Sequence, residues 1–99
     1  MGDILNEAGQ KVAKIGQDGV VKNIQGIKMG SVKDNGDIRN AVGHKIGSYD
    51  GSGYVYEAGR KIGKVHSDGK VFDYEEDCIG SVKGDHIQSG GAALHLLVR

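Results

Sequence analysis

The chain repeats itself. Aligned from Gly2, Gly19, Gly36, Gly53, Gly69 and Asp85, its 99 residues fall into six copies spaced 17, 17, 17, 16 and 16 residues apart. A period of this length requires one supersecondary unit used over and over, each copy too small to bury its apolar face alone. The third copy, Gly36 to Tyr49, shows the pattern: Gly-x-apolar-x-Asn, a short turn ending in Gly, then x-Lys-apolar-Gly-x-apolar. Thirteen of the 18 glycines occupy repeat positions, so the glycine content belongs to the repeat and not to flexible linkers.

Three apolar positions recur in every copy. They are Ile4, Val21, Ile38, Val55, Val71 and Ile87; then Val12, Met29, Ile46, Ile62, Ile79 and Leu94; then Ile15, Val32, Tyr49, Val65, Val82 and Leu97. Most are β-branched, which suits strands. Between them lie two kinds of reversal. Asp18-Gly19, Asn35-Gly36, Asp50-Gly51 and Asp68-Gly69 are hairpin-type pairs. Asn6 to Gly9, Asn23 to Gly26 and Asn40 to Gly43, with the shorter Glu57-Ala58-Gly59, suit a turn closed by a left-handed glycine.

Two reversals per copy predict an all-β domain spanning 1–99, six β-hairpins of 16–17 residues in an antiparallel meander around a pseudo-symmetry axis. The competing reading is a β-solenoid with one coil per copy. Helix is set aside, because glycine every few residues costs about 1 kcal/mol each in a helix.

Ile46 and Tyr49 are three residues apart, which strict alternation would put on opposite faces. Either both faces of that strand are covered, or a bulge at Gly47 turns Tyr49 back to the core. The same glycine recurs as Gly30, Gly63 and Gly80, with Ala13 and His95 in the end copies. Its missing side chain predicts close approach near the axis, with three stacked rings of six side chains around it. The last copy is atypical. Leu94, Leu96, Leu97 and Val98 are too apolar for a free tail and are expected to cover the join with the first copy or a contact with another subunit.

Composition narrows the function. Thirteen charges of each sign give no net charge, which argues against a nucleic-acid partner. No apolar run is long enough to span a bilayer. The single Cys78 excludes an internal disulfide, and with no visible export signal it fits a cytoplasmic compartment.

Copies such as Gly53 to Val65 and Lys61 to Val71 resemble the repeats of bacterial proteins described as four-fold β-flower domains. That resemblance implies hairpin petals around a central axis and brings no catalytic or binding residue with it. This chain departs from it in offering six copies.

His44, His66, His86 and His95 have no metal-ligand spacing, and no metal or cofactor is expected. Cys78 is expected as a small half-buried residue beside Ile79, and a Cys–His nucleophile is the enzymatic alternative. Asp18, Asp34, Asp50 and Asp68 are explained by turn formation, against a cation-binding rim. Lys11, Lys28, Lys45 and Lys61 recur two residues after the turn glycine and would gather at one end of the hairpins, as a basic arc for a polyanion or as a solvated edge. Tyr54, Tyr56, Phe72 and Tyr74 flank the buried valines and face outward, with Tyr56 and Phe72 expected side by side. Exposed aromatic pairs suit sugar rings or a protein partner.

The expected function is therefore non-catalytic recognition of a macromolecule, a glycan or protein foremost, through Tyr54, Tyr56, Phe72, Tyr74 and the four repeated lysines. The alternative is a self-assembling structural protein.

Overall fold

Asparagine and glycine place the reversals at one end of the molecule. In the computed structural model, which describes residues 2–98, Asn40 Oδ1 accepts hydrogen bonds from the N–H groups of Val42 and His44 at 3.1 and 3.0 Å. Asn6, Asn23 and Asp73 do the same for the residues two and four positions on. At the opposite junctions Asp18, Asn35 and Asp68 each accept from the residue two positions on. These local bonds satisfy the turn backbone without help from neighbours.

The strands between them are β1 (Gly2–Asn6), β2 (Lys11–Ile15), β3 (Val20–Asn23), β4 (Lys28–Val32), β5 (Asp37–Asn40), β6 (Lys45–Tyr49), β7 (Tyr54–Glu57), β8 (Arg60–Val65), β9 (Lys70–Asp73) and β10 (Cys78–Gly84). Each pairs antiparallel with its neighbours in sequence. The ring closes where β1 meets β10, in register from Gly2 opposite Gly84 to Asn6 opposite Gly80. The fold is thus an all-β meander, a closed barrel of five hairpins, and no solenoid. Every strand has two partners, so the barrel has no open sheet edge.

A bulge repeats in every hairpin. The register slips by one residue between Ile38 and Arg39, whose partners are Gly47 and Lys45, so Ile46 is the extra residue. Val12, Met29, Ile62 and Ile79 occupy the same place in the other four hairpins. Of the two alternatives for Ile46 and Tyr49 the bulge is the one formed, and the slip lets residues three apart both pack against the core. Ile4, Val21, Ile38, Val55 and Val71 are fully buried; Ile15, Val32, Val65 and Val82 form a second inward layer.

The sixth copy is not a hairpin. Its residues form helix α1 (Ile87–Ala93) and a wider π-helical turn, Leu94–Val98, running along the barrel axis. The expected six-hairpin ring is corrected to five hairpins and a plug, for a steric reason. Eight strands leave an interior that side chains alone can fill, and ten leave more room than that. A twelve-strand ring would be wider still, with nothing left to occupy it. Gly90 and Gly91 let the helix approach closely: a Cβ on Gly90 would press on Val82, and one on Gly91 on Val65. Ala92 and Ala93 are fully buried behind them.

The recurrent strand glycines receive the plug. Added side chains at Gly80, Gly63, Gly47 and Gly30 would collide with Leu94, His95, Leu96 and Leu97 respectively. Four consecutive residues thus meet β10, β8, β6 and β4 in turn. Five hairpins stand about 72° apart, whereas α-helical residues advance by about 100°. An i→i+5 helix has roughly 4.4 residues per turn, or about 80° per residue, and matches the hairpins better. The symmetry of the barrel explains the rare helix type at its centre. The expected close approach at these glycines is real: the backbone carbonyls of Arg39, Tyr56, Phe72 and Leu5 on the neighbouring hairpins crowd Gly30, Gly47, Gly63 and Gly80, and the C-terminal segment closes on them from the axis. Among the described residues no helix is long and apolar enough to cross a membrane.

Candidate aromatic and cationic groove

The outer face of the fourth and fifth hairpins gathers the aromatic residues. Across the strands, Tyr54 stands opposite Lys64, and Lys64 opposite Phe72. The register therefore places Phe72 level with Tyr54, not with Tyr56 as their shared repeat slot suggested. The slip of each bulge and the stagger of a closed barrel offset equivalent positions between neighbouring hairpins.

Tyr54, Lys61, Lys64, His66, Phe72 and Tyr74 line a groove of about 620 Å³ together with the carboxylates of Asp73 and Glu76. The Lys61 ammonium lies 3.7 Å from the centroid of the Tyr54 ring and that of Lys64 5.2 Å, both within cation–π range. His66 and Phe72 stack at a tilt, centroids 4.5 Å apart. Tyr74 is 72% exposed, on the turn that follows β9. A hydrogen bond with Glu75, followed by the charge of that carboxylate, raises its hydroxyl pKa.

Tyr56 belongs elsewhere. Its hydroxyl donates to Asp50 Oδ2 at 2.9 Å, while Asp50 Oδ1 accepts from the N–H groups of Ser52 and Tyr54 at 2.9 and 3.1 Å. Partial desolvation acts to raise the Asp50 pKa. The bond from the Tyr54 backbone, then those from Tyr56 and Ser52 and the charge of Lys61, outweigh it and leave the carboxyl below the usual range. The same bond, reinforced by desolvation, raises the Tyr56 phenol. Asp50 thus ties Tyr56 to the junction between β6 and β7.

The four repeated lysines share one end of the barrel but stand one per hairpin around it, so no single groove holds them. The residue after the first repeat glycine decides what each one meets. Asp3 pairs with Lys11 and Asp37 with Lys45, both at 3.1 Å; Tyr54 lies under Lys61. Lys28, whose hairpin has Val20 in that slot, has no ion pair among the described residues. Only Lys61 of the four joins the aromatic groove. Sequence reasoning did not single out Lys64, and considered His66 only as a metal ligand or nucleophile partner. Their signal was the cross-strand register, which places both beside Phe72 once the bulge is counted.

The remaining candidates are dispersed. His44 lies on an exposed turn, and His95 is inside the barrel, where its Nε2–H donates to the Phe72 carbonyl at 3.0 Å. Cys78 is exposed rather than half-buried, at the start of β10, and its Sγ lies 3.5 Å from the Gly80 carbonyl oxygen. Ile79 beside it is buried. Among the described residues no group of three or more His, Cys, Asp or Glu is placed to hold a metal ion. Leu94 is 2% exposed inside the barrel, and Leu96, Leu97 and Val98 pack against the same core; the plug uses these residues within its own chain. Comparison with family models, with curated proteins and with solved structures returns no match for this chain.

Proposed function

We propose that this domain is a non-catalytic recognition module, and that the groove of the fourth and fifth hairpins takes an acidic glycan. The observation that carries the reading is the row Tyr54–Lys64–Phe72, with Lys61 above one ring and His66 against the other. Sugar rings present apolar C–H faces to aromatic rings, and ammonium groups between those rings meet carboxylates on the sugar. Tyr54 and Phe72 are held by flanking strands, so little conformational freedom is lost on binding. The assembly alternative has less support, because the ring leaves no edge strand to extend and Leu94 faces inward.

The test is calorimetric titration with polygalacturonate, with neutral dextran as the comparison. The acidic chain binds, dextran does not, and Tyr54→Ala or Lys64→Ala weakens binding about tenfold, the equivalent of 1.4 kcal/mol. Tyr56→Ala, on the neighbouring junction, leaves affinity unchanged. Equal binding by the Tyr54→Ala and Lys64→Ala variants, or none by the parent, would remove the groove from the function.

A further inference from the structure

All five odd-to-even turns lie at one end of the barrel, because an up-and-down meander returns its hairpin tips to the same side. Among the described residues the well-exposed large apolar side chains are Ile24, Ile27, Val42 and Tyr74, at 71%, 59%, 76% and 72%. Every one is on such a tip. Three of them, Ile24, Ile27 and Val42, stand on the adjacent second and third hairpins.

Turn formation does not call for these side chains. Asn23 with Gly26, and Asn40 with Gly43, already meet the backbone demands of the two tips. Equivalent slots on the first and fifth tips hold Glu7, Ala8, Gln10, Glu75 and Asp77, with Tyr74 the one large apolar residue among them. The exposed isoleucines and valine are therefore features of two hairpins and not of the repeat.

Charge on the same two hairpins is one-sided. Residues 20–32 contain Lys22 and Lys28 directly opposite each other and no Asp or Glu. Lys14 stands opposite Lys22 on its other side. Like charges facing one another across strands are unfavourable in the isolated protein. The third hairpin adds Arg39 and Lys45 against the single carboxylate of Asp37.

We propose that the tips of the second and third hairpins dock on an anionic lipid bilayer, with Ile24, Ile27 and Val42 entering the interface and Lys22, Lys28, Arg39 and Lys45 meeting headgroup phosphates and carboxylates. Apolar burial and attraction to anionic lipid act together in such contacts. A second copy docked tip to tip about a two-fold axis would set Lys22 and Lys28 against themselves, which a bilayer does not. Glu7, Glu57, Glu75, Glu76 and Asp77 occupy the other three tips, so the barrel leans onto hairpins two and three rather than standing upright.

The experiment is co-sedimentation with vesicles of phosphatidylcholine alone and of phosphatidylcholine mixed with phosphatidylserine. The mixed vesicles retain the protein, the neutral ones do not, and added salt releases it. Ile24→Asp with Val42→Asp lowers the bound fraction at least about tenfold, as does Lys22→Glu with Lys28→Glu. These side chains are exposed, so the variants keep the parent melting temperature; Ile27→Ser is a further single change at the same tip. No retention by mixed vesicles overturns the proposal, as does retention unaffected by the tip variants. Light scattering that finds a dimer abolished by the apolar-tip variant would assign the patch to a second copy and overturn it too.

Discussion

The His95 imidazole occupies the place where a side chain on Gly63 would be, and from there Nε2 reaches the Phe72 carbonyl oxygen on the next strand at 3.0 Å. The ring and that carbonyl together leave no room for a Cβ on Gly63, and the same contact fixes the path of the C-terminal segment and satisfies a backbone group on β9. Leucine side chains fill the corresponding places at Gly80, Gly47 and Gly30, by packing alone.

Gly63→Ala is expected to destabilise the fold by about 1–3 kcal/mol, the usual cost of overpacking a filled interior. Gly51 gives the contrast within one chain. A Cβ there meets nothing within 4 Å, and its φ is not in the left-handed region. Gly51→Ala is expected to stabilise by about 0.4–1 kcal/mol, through the unfolded state. Thermal melts of the two variants, read against the parent, should move in opposite directions. A shift of the same sign in both would mean that His95 and the Phe72 carbonyl both yield freely.

The barrel was legible because each hairpin carries its own instructions. Asn40 and Gly43 fix a tip, and Ile46 followed by Gly47 announces the bulge. The sixth copy was not legible, since its spacing satisfies two structures at once. Ile87, Leu94 and Leu97 are offset by seven and ten residues, so they align with the strand positions of earlier copies. Those offsets also bring residues close to one face of a helix. What decides between them is closure: β1 takes the free edge of β10, and no single-copy pattern says at which copy that happens. The groove was half legible for a related reason. Tyr54 and Phe72 could be picked as outward-facing, but their pairing through Lys64 depends on a stagger that belongs to the closed ring.

The bond between Tyr56 and Asp50 makes stability depend on pH at both ends of the scale. Asp50 has a lowered pKa in the folded protein, so its contribution is complete above the ordinary carboxylate range, about 4, and is lost as pH falls through the folded value. Tyr56 is raised, so its contribution is complete below the ordinary phenol value, about 10, and is lost as pH rises through the folded one. Asp50→Asn is expected to bring the Tyr56 ionisation down, because a hydrogen bond from the neutral phenol to a carboxylate holds the proton in place. Ultraviolet titration, with Tyr56→Phe subtracted to isolate the single tyrosine, measures this. An unchanged Tyr56 ionisation in Asp50→Asn would show that the bond is not formed in solution.

The plug and the barrel should not be separable. Without residues 85–99 the lumen would lose Leu94, His95, Leu96 and Leu97 from its glycine seats, and Val65 and Val82 would lose Gly91 and Gly90. Emptying one buried leucine site costs about 2–5 kcal/mol. Three leucines, two of them only half-buried, together approach the whole stability of a small domain, about 5–15 kcal/mol. A chain ending at Gly84 is therefore expected to show no cooperative melt, although it keeps all ten strands and every turn residue. Adding a peptide of residues 85–99 should restore the transition in proportion to its concentration, as for any ligand that binds only the folded state. Circular dichroism with increasing peptide reads both effects. A shortened chain that melts cooperatively alone would mean that the five hairpins close without a centre, and that the strand glycines answer to something other than the axis they surround.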